Sequence, residues 1–150
     1  SFQQFSKKIK SKKNGFFTKY IKAKSKFFKT KKLLKLKNKF VYKIKNNNFN
    51  DYNKIYIFGY GVIGRTVFHV LKNNNVKIDG FIDNNKNFFN AVYFGKKIFN
   101  IMFLKKLIHK QNNDILVIIC QNINKTSNQI IQQLKHIGLR NINIKVFNIF

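Results

Sequence analysis

The sequence predicts an α/β fold, a parallel sheet between helical layers, preceded by a basic arm. Three observations predict it. From Lys54 onward, short apolar runs alternate with segments of helical periodicity, the pattern of parallel strands joined by crossover helices. The first apolar run passes directly into Gly59-Tyr60-Gly61-Val62-Ile63-Gly64, a G-x-G-x-x-G spacing that opens a helix. An aspartate, Asp83, closes the second apolar run about 20 residues further on.

Residues 1 to about 50 interleave Lys with Phe, Leu, Ile and Tyr. Several apolar positions recur at three- or four-residue spacing, as on one face of a basic amphipathic helix. Such a helix either lies on an anionic membrane surface with its lysine heads in the headgroup layer, or packs its apolar stripe on the rest of the protein. Asn46 through Asn53 reads as a polar linker. The division is therefore an arm and linker over 1–53 and a nucleotide-binding domain over 54–150.

Ile55 to Phe58 is the first strand. Ile63, Val67, Val70 and Leu71 form an apolar stripe at helical spacing over Val62 to Lys72, and Asn73-Asn74-Asn75 ends that helix. Val76 to Ile82 is the second strand. Asn84 to Phe94 is irregular, Gly95 marks a turn, and Ile98-Phe99 is a short third strand. Met102 to His109 reads as a helix. Ile115 to Ile119, continuously apolar, reads as a strand buried on both faces. A helix over Lys125 to Ile137 is stopped by Gly138 at a C-terminal cap position, and Ile142 to Phe150 is the last strand. Right-handed crossovers place these five strands in the Rossmann-like order 3-2-1-4-5, with a ligand crevice where the first and fourth diverge.

The charge is uneven. Lys and Arg number 31 against four Asp and no Glu, a formal net charge of +27. Residues 1–50 hold 17 Lys and no acid, whereas residues 51–150 hold 12 Lys, two Arg and all four Asp, or +10. A field of that sign attracts polyanions by steering and counterion release, so an anionic membrane surface or nucleic acid is an expected partner class of the arm, the membrane surface favoured over nucleic acid. The same excess also suits compositional drift, since Phe, Ile, Asn and Lys dominate and Pro and Trp are absent. Cys120 is the lone cysteine, which excludes an intrachain disulfide or a thiolate metal cluster and suits a reducing, cytoplasmic setting, peripheral to the inner face of the membrane if the arm docks there. No stretch is apolar over the roughly 20 residues that a membrane span needs. The chain begins with Ser1, as a piece of a longer protein would.

The chemistry concentrates at the glycine turn. Gly59 permits the tight turn off the strand, Gly61 allows close backbone approach to a pyrophosphate, and Gly64 lets the helix sit close to the sheet. Tyr60, Val62 and Ile63 complete the turn and present backbone N–H groups at a helix N-terminus, where the macrodipole favours an anion. Asp83 stands where a carboxylate accepts hydrogen bonds from ribose hydroxyls, with Asn84 beside it; Asp79 competes from mid-strand. A carboxylate there disfavours a 2′-phosphate, so NAD or a nucleoside diphosphate sugar is expected rather than NADP. Gln121 and Asn122 follow the fourth strand and offer amide donors and acceptors. Arg65 either touches phosphate or is solvated, with solvation favoured. Cys120 is expected to pack as a small apolar residue. His69 and His109 fall on helices and His136 near a helix end, none beside an evident nucleophile or base, and four aspartates offer no paired-carboxylate chemistry. The residues describe a binding site without a reaction centre.

The string IYIFGYGVIGRTVFHVLKNNNVKIDGFIDNN, with GKKIFNI, DILVIICQN and QLKHIGLRNI, resembles a Rossmann-like domain of surface-polysaccharide and glycan biosynthesis proteins. It is similar to the N-terminal part of CapD-like nucleotide-sugar dehydratases, of sugar acetyltransferases and of FkbM-type methyltransferase proteins. The resemblance covers about residues 54 to 148 and implies that Gly59, Gly61, Gly64 and Asp83 hold a nucleotide. The dehydratase, acyltransferase and methyltransferase domains of those proteins have no counterpart in this chain, and the basic arm is foreign to the pattern. An accessory or truncated part of a sugar-modifying enzyme is the function that the resemblance implies.

Overall fold

The computed structural model describes residues 47–110, 114–120 and 124–147. The predicted basic amphipathic helix lies outside them, as do Gln121 and Asn122. In chain order the elements are β1 (Lys54–Phe58), α1 (Val62–Asn73), β2 (Gly80–Ile82), β3 (Val92–Tyr93), β4 (Lys96–Phe99), α2 (Ile101–Lys110), β5 (Ile115–Ile119), α3 (Asn124–His136) and β6 (Ile144–Val146), with 3₁₀ turns at Lys86–Phe88 and Asn141–Asn143.

The strands form one sheet in the order β3-β4-β2-β1-β5-β6, parallel throughout except for the β3–β4 hairpin. Its five parallel strands follow the expected 3-2-1-4-5 arrangement, and β3 is an added antiparallel edge. The period-two alternation of β1 explains the layers. Ile55 and Ile57 pack with Val67, Phe68 and Leu71 of α1 on one face, while Tyr56 and Phe58 pack with Leu104 and Ile108 of α2 and Ile130 and Leu134 of α3 on the other. Each such side chain contributes about 1.5–3 kcal/mol on full burial, so both faces must be covered. β5 is buried at every position, as its unbroken apolar run requires.

The helix ends follow local chemistry. At the end of α1 the Asn74 amide donates to the Val70 carbonyl at 2.8 Å, and Asn75 adopts φ 62°, a left-handed conformation that asparagine tolerates. After α3, Gly138 takes φ 103° while its N–H donates to Lys135 O and that of Leu139 to Leu134 O, both at 3.0 Å. This closes the helix as the glycine position predicts.

Four segments differ from the sequence expectation. β2 begins at Gly80 rather than Val76, because the Val76 N–H turns back to the Leu71 carbonyl at 3.0 Å and closes α1 instead of joining the sheet. Asp79 therefore stands at the start of β2, where it accepts the Ile55 N–H at 2.9 Å and pairs with Lys54 and Lys77, at the opposite end of the strand from the glycine turn. The irregular stretch before Gly95 contains β3: Phe94 and Gly95 take φ 50° and 75°, both positive as a two-residue hairpin turn demands. The last strand is short, since Asn141–Asn143 form a 3₁₀ turn in which the buried Asn143 amide donates to Ile115 O at 2.8 Å.

The asparagine-rich stretch before β1 is the fourth. Phe49 is buried on the α1 face of the core, 6.5 Å from the Phe147 ring. Tyr52 donates its hydroxyl to Ile142 O at 2.9 Å, and Lys145 lies over both Phe49 and Tyr52 while donating to the Asn47 side chain at 2.8 Å. Two aromatic side chains among the asparagines thus anchor residues 47–53 to the fold.

Candidate functional site

The three glycines of the turn have three different reasons to be glycine. Gly59 leaves β1 with φ 103°, a region closed to most side chains, and its N–H donates to Ile82 O at 2.7 Å, which ties the turn to the end of β2. A Cβ on Gly64 would stand 1.8 Å from the Gly59 carbonyl oxygen and 3.5 Å from Ile57. Gly64 therefore lets the first turn of α1 close on the glycine loop itself, as well as on the strand. Gly61 is the N-cap of α1 with φ −63° and ψ −173°, extended backbone that any residue adopts, and a Cβ there would meet nothing within 4 Å. Neither conformation nor packing explains that glycine.

Asp83 comes to the turn as predicted, with a geometry that the sequence does not reveal. Its Oδ2 accepts the Tyr60 N–H and its Oδ1 accepts the Asn85 N–H, both at 2.7 Å. The carboxylate thus braces the glycine turn against the end of β2, and each oxygen keeps a further acceptor lone pair for a hydroxyl. Asn84 points elsewhere, its amide donating to Gln133 of α3 at 3.0 Å. Val62 and Ile63 form the first turn of α1, where Ile63 packs against the α1-side core. Gln121 lies outside the described residues.

The Tyr60 side chain turns inward. Its ring meets Phe81, Phe88 and Tyr93 edge-on at 5.3, 5.2 and 5.6 Å, so the turn is keyed to β2 and to the β3–β4 hairpin. Arg65, for which solvation is the favoured sequence reading, is half-buried, its guanidinium 5.1 Å from the Tyr60 ring centre and 5.9 Å from that of Tyr93. Behind it, His69 Nε2 and the Tyr93 hydroxyl share a hydrogen bond of 2.7 Å. Burial, then the charges of Lys72 and Arg65, push the His69 pKa down to about 4, and burial raises Tyr93 to about 12. At neutral pH this is an uncharged pair covered by Phe94, whose ring lies 4.8 Å from the imidazole. The spacing of residues 65, 69 and 72 on one helical face is in the sequence; the Tyr93 and Phe94 rings that they meet arrive only through the β3–β4 hairpin.

Across the sheet, β5 ends in Cys120, whose thiol is buried and raised well above its ordinary pKa, in keeping with a packing role. Ser127, in the first turn of α3, is 4% exposed, and its hydroxyl finds no hydrogen-bond partner among the described residues. Serine after a strand end is common loop chemistry, so nothing in the sequence marks it. Among the described residues no three His, Cys, Asp or Glu side chains converge on a metal position, and no helix is long and apolar enough to cross a membrane.

Comparison with known proteins agrees with this architecture. The model of the C2185-like N-terminal domain matches residues 51–145. No curated protein matches the sequence. Among solved structures, the chain resembles RSP, a Rex-family repressor, at 12% identity and a TM-score of 0.51, over 65% of this chain and 53% of that one. It also resembles UDP-D-quinovosamine 4-dehydrogenase from Vibrio fischeri, at 20% identity and a TM-score of 0.50, over 63% of this chain and 75% of that one. The chain thus spans about half the length of the repressor. The shared property is a Rossmann-like fold.

Proposed function

The chain belongs to the C2185-like family, whose N-terminal domain it carries over residues 51–145, and on that premise we propose that this domain binds a nucleotide at the glycine turn. The ligand is NAD or a nucleoside diphosphate sugar, and the domain is the recognition part of a sugar- or polysaccharide-modifying protein. The observation that carries the reading is Gly61, a glycine required neither by its backbone angles nor by any neighbour. A phosphate resting on the N-terminus of α1 occupies the space in question and meets free N–H groups and the positive end of the helix dipole. Asp83, held 2.7 Å from the Tyr60 N–H, is placed to accept ribose hydroxyls with its remaining lone pairs. The reading assigns no reaction to this chain.

Isothermal titration calorimetry against NAD, NADH, UDP-sugars, CoA and acetyl-CoA tests it. Wild-type protein is expected to bind NAD or a UDP-sugar in the micromolar to millimolar range, and Gly61→Val to lose that binding by filling the phosphate space. Absence of heat with every ligand rejects the proposal.

A second reading concerns the arm. All four aspartates of the chain lie in residues 51–150 and have partners there: Asp51 in Asn48, Asp79 in Lys54 and Lys77, Asp83 in backbone N–H groups and Asp114 in Asn53. Residues 1–50 add 17 Lys and no acid. That balance favours an arm that docks on an anionic membrane surface, with the protein cytoplasmic and peripheral to it.

A further inference from the structure

We propose that the amino edge of the sheet, led by the tip of the β3–β4 hairpin, is the face by which the folded domain lies on an anionic membrane. This contact rests on the membrane reading of the arm and adds to it a surface on the domain, and with that surface an orientation.

Topology gathers the face. The parallel strands all begin at one edge of the sheet and the helices that connect them run back toward it, so every helix ends there. Lys72, Lys110 and Lys135 stand in the last turns of α1, α2 and α3. Lys96 opens β4 and Lys97 follows it, directly after the hairpin turn. Asp79 at this edge is offset by Lys54 and Lys77, which leaves Asp51 and Asp114 against the other cations. Among the described residues the opposite edge, where the glycine turn lies, carries Arg65, Lys86 and Lys125 with Asp83. The negative ends of the helix dipoles account for the lysines of the last turns, but not for two lysines on a strand.

The hairpin supplies the apolar part. Val92 is 60% exposed and stands directly opposite Lys97. Phe94 packs its ring on His69 and is still 42% exposed, with the Lys72 ammonium 5.3 Å from its ring centre. Its φ of 50° is a conformation that Asn or Gly serves at less cost, so turn chemistry does not call for an aromatic there. Apolar side chains flanked by lysines suit the boundary of a bilayer, where the apolar groups reach toward the acyl chains and the ammonium heads stay among the phosphates. Nucleic acid draws on the lysines alone and leaves Val92 in water. Residues 47–53 enter β1 from this same edge, so the chain that carries the 17 lysines of residues 1–50 joins the domain here. The hairpin is too small to hold a bilayer by itself. The arm supplies most of the attraction, the hairpin decides which side meets lipid, and the glycine turn faces away from it.

The chain contains no tryptophan, so one introduced indole reports on one place. The test uses the full chain with Val92→Trp at the hairpin and, as a control, Met102→Trp, a 51% exposed position at the start of α2 on the opposite edge. On vesicles of phosphatidylserine and phosphatidylcholine, the emission of Val92→Trp is expected to move to shorter wavelength and to be quenched by lipids with brominated chains, while that of Met102→Trp stays in place. Lys96→Glu with Lys97→Glu, in the otherwise unaltered chain, is expected to weaken vesicle binding in sedimentation at least about tenfold with the melting temperature unchanged. Vesicle binding with no change at Val92→Trp, or with equal changes at both positions, overturns the docking face and leaves the arm reading standing. Undiminished binding of the doubly substituted chain does the same. Absence of vesicle binding overturns both, and a change at Val92→Trp with duplex DNA but not with vesicles assigns the face to nucleic acid instead.

Discussion

At the residue scale, the three glycines of one motif separate cleanly by cause. Gly64→Ala places a methyl group 1.8 Å from the Gly59 carbonyl oxygen, a backbone atom that cannot rotate away. We expect it to cost at least about 2–3 kcal/mol, as overpacking in a dense site does, and to lower the melting temperature by roughly 10 °C or more for a domain of this size. Gly61→Ala meets open space at an ordinary backbone conformation. It should stay within about 1 kcal/mol of wild type, the range of an N-cap exchange, while weakening nucleotide binding. Thermal melting and calorimetry on the two variants check both statements; equal destabilisation would mean that Gly61 serves the fold. His69 gives a pH dependence. Its folded pKa of about 4 lies below the ordinary value of 6.5, so the unfolded chain takes up the proton first as pH falls. The stability contributed by the neutral pair is therefore full above pH 6.5 and drains away between 6.5 and 4, by up to about 3 kcal/mol. Over that interval wild type should lose more stability than His69→Gln in urea titrations at successive pH values.

At the scale of elements, the glycine turn is positioned by what lies on either side of it. Asp83 accepts N–H groups from Tyr60 and Asn85 and so links the end of β2 to the loop after β1. Asp83→Ala strands two donors; we expect a loss of about 1–3 kcal/mol and faster hydrogen exchange at the Tyr60 amide, which an unchanged exchange rate would refute. The segment before β1 behaves as an element although it has no regular structure. Phe49 is buried beside Phe147, and Phe49→Ala should cost about 3 kcal/mol as a buried aromatic truncation. A solvated linker would make that substitution silent in a denaturant titration. Both devices join segments distant in the chain, which is why spacing within the motif did not disclose them. The glycine spacing, the aspartate at the strand end and the cap at Gly138 are local chemistry and were legible. The hairpin was not, because Phe94 at φ 50° occupies a turn position where Asn or Gly is the usual signal.

At the scale of the whole molecule, charge and topology govern different properties. The net charge of +27 is concentrated in residues 1–50. If the arm docks on anionic membranes, binding to vesicles containing phosphatidylserine should fall steeply between about 50 and 200 mM salt and vanish when residues 1–46 are removed, while nucleotide affinity persists. Vesicle sedimentation across a salt series measures this, and salt-insensitive binding argues against the electrostatic reading. The sheet order is independent of that charge. It follows from short strands joined by right-handed crossovers, and the apolar runs of β1 and β5 mark the strands that must lie at the centre.

By itself the sequence determined the alternation of strands and helices, the central place of β5, the turn at Gly59–Gly64 and the arrival of Asp83 beside it. Each of these depends on periodicity or on the backbone limits of nearby residues, which a linear reading records. Only the tertiary structure decided that Gly64 is forced by close approach while Gly61 faces open space, that Asp83 is also a brace, that Arg65 is held over Tyr60 and Tyr93, and that Phe49 belongs to the core. Those properties depend on contacts between residues far apart in the chain, where burial and close approach exist only after the sheet has formed.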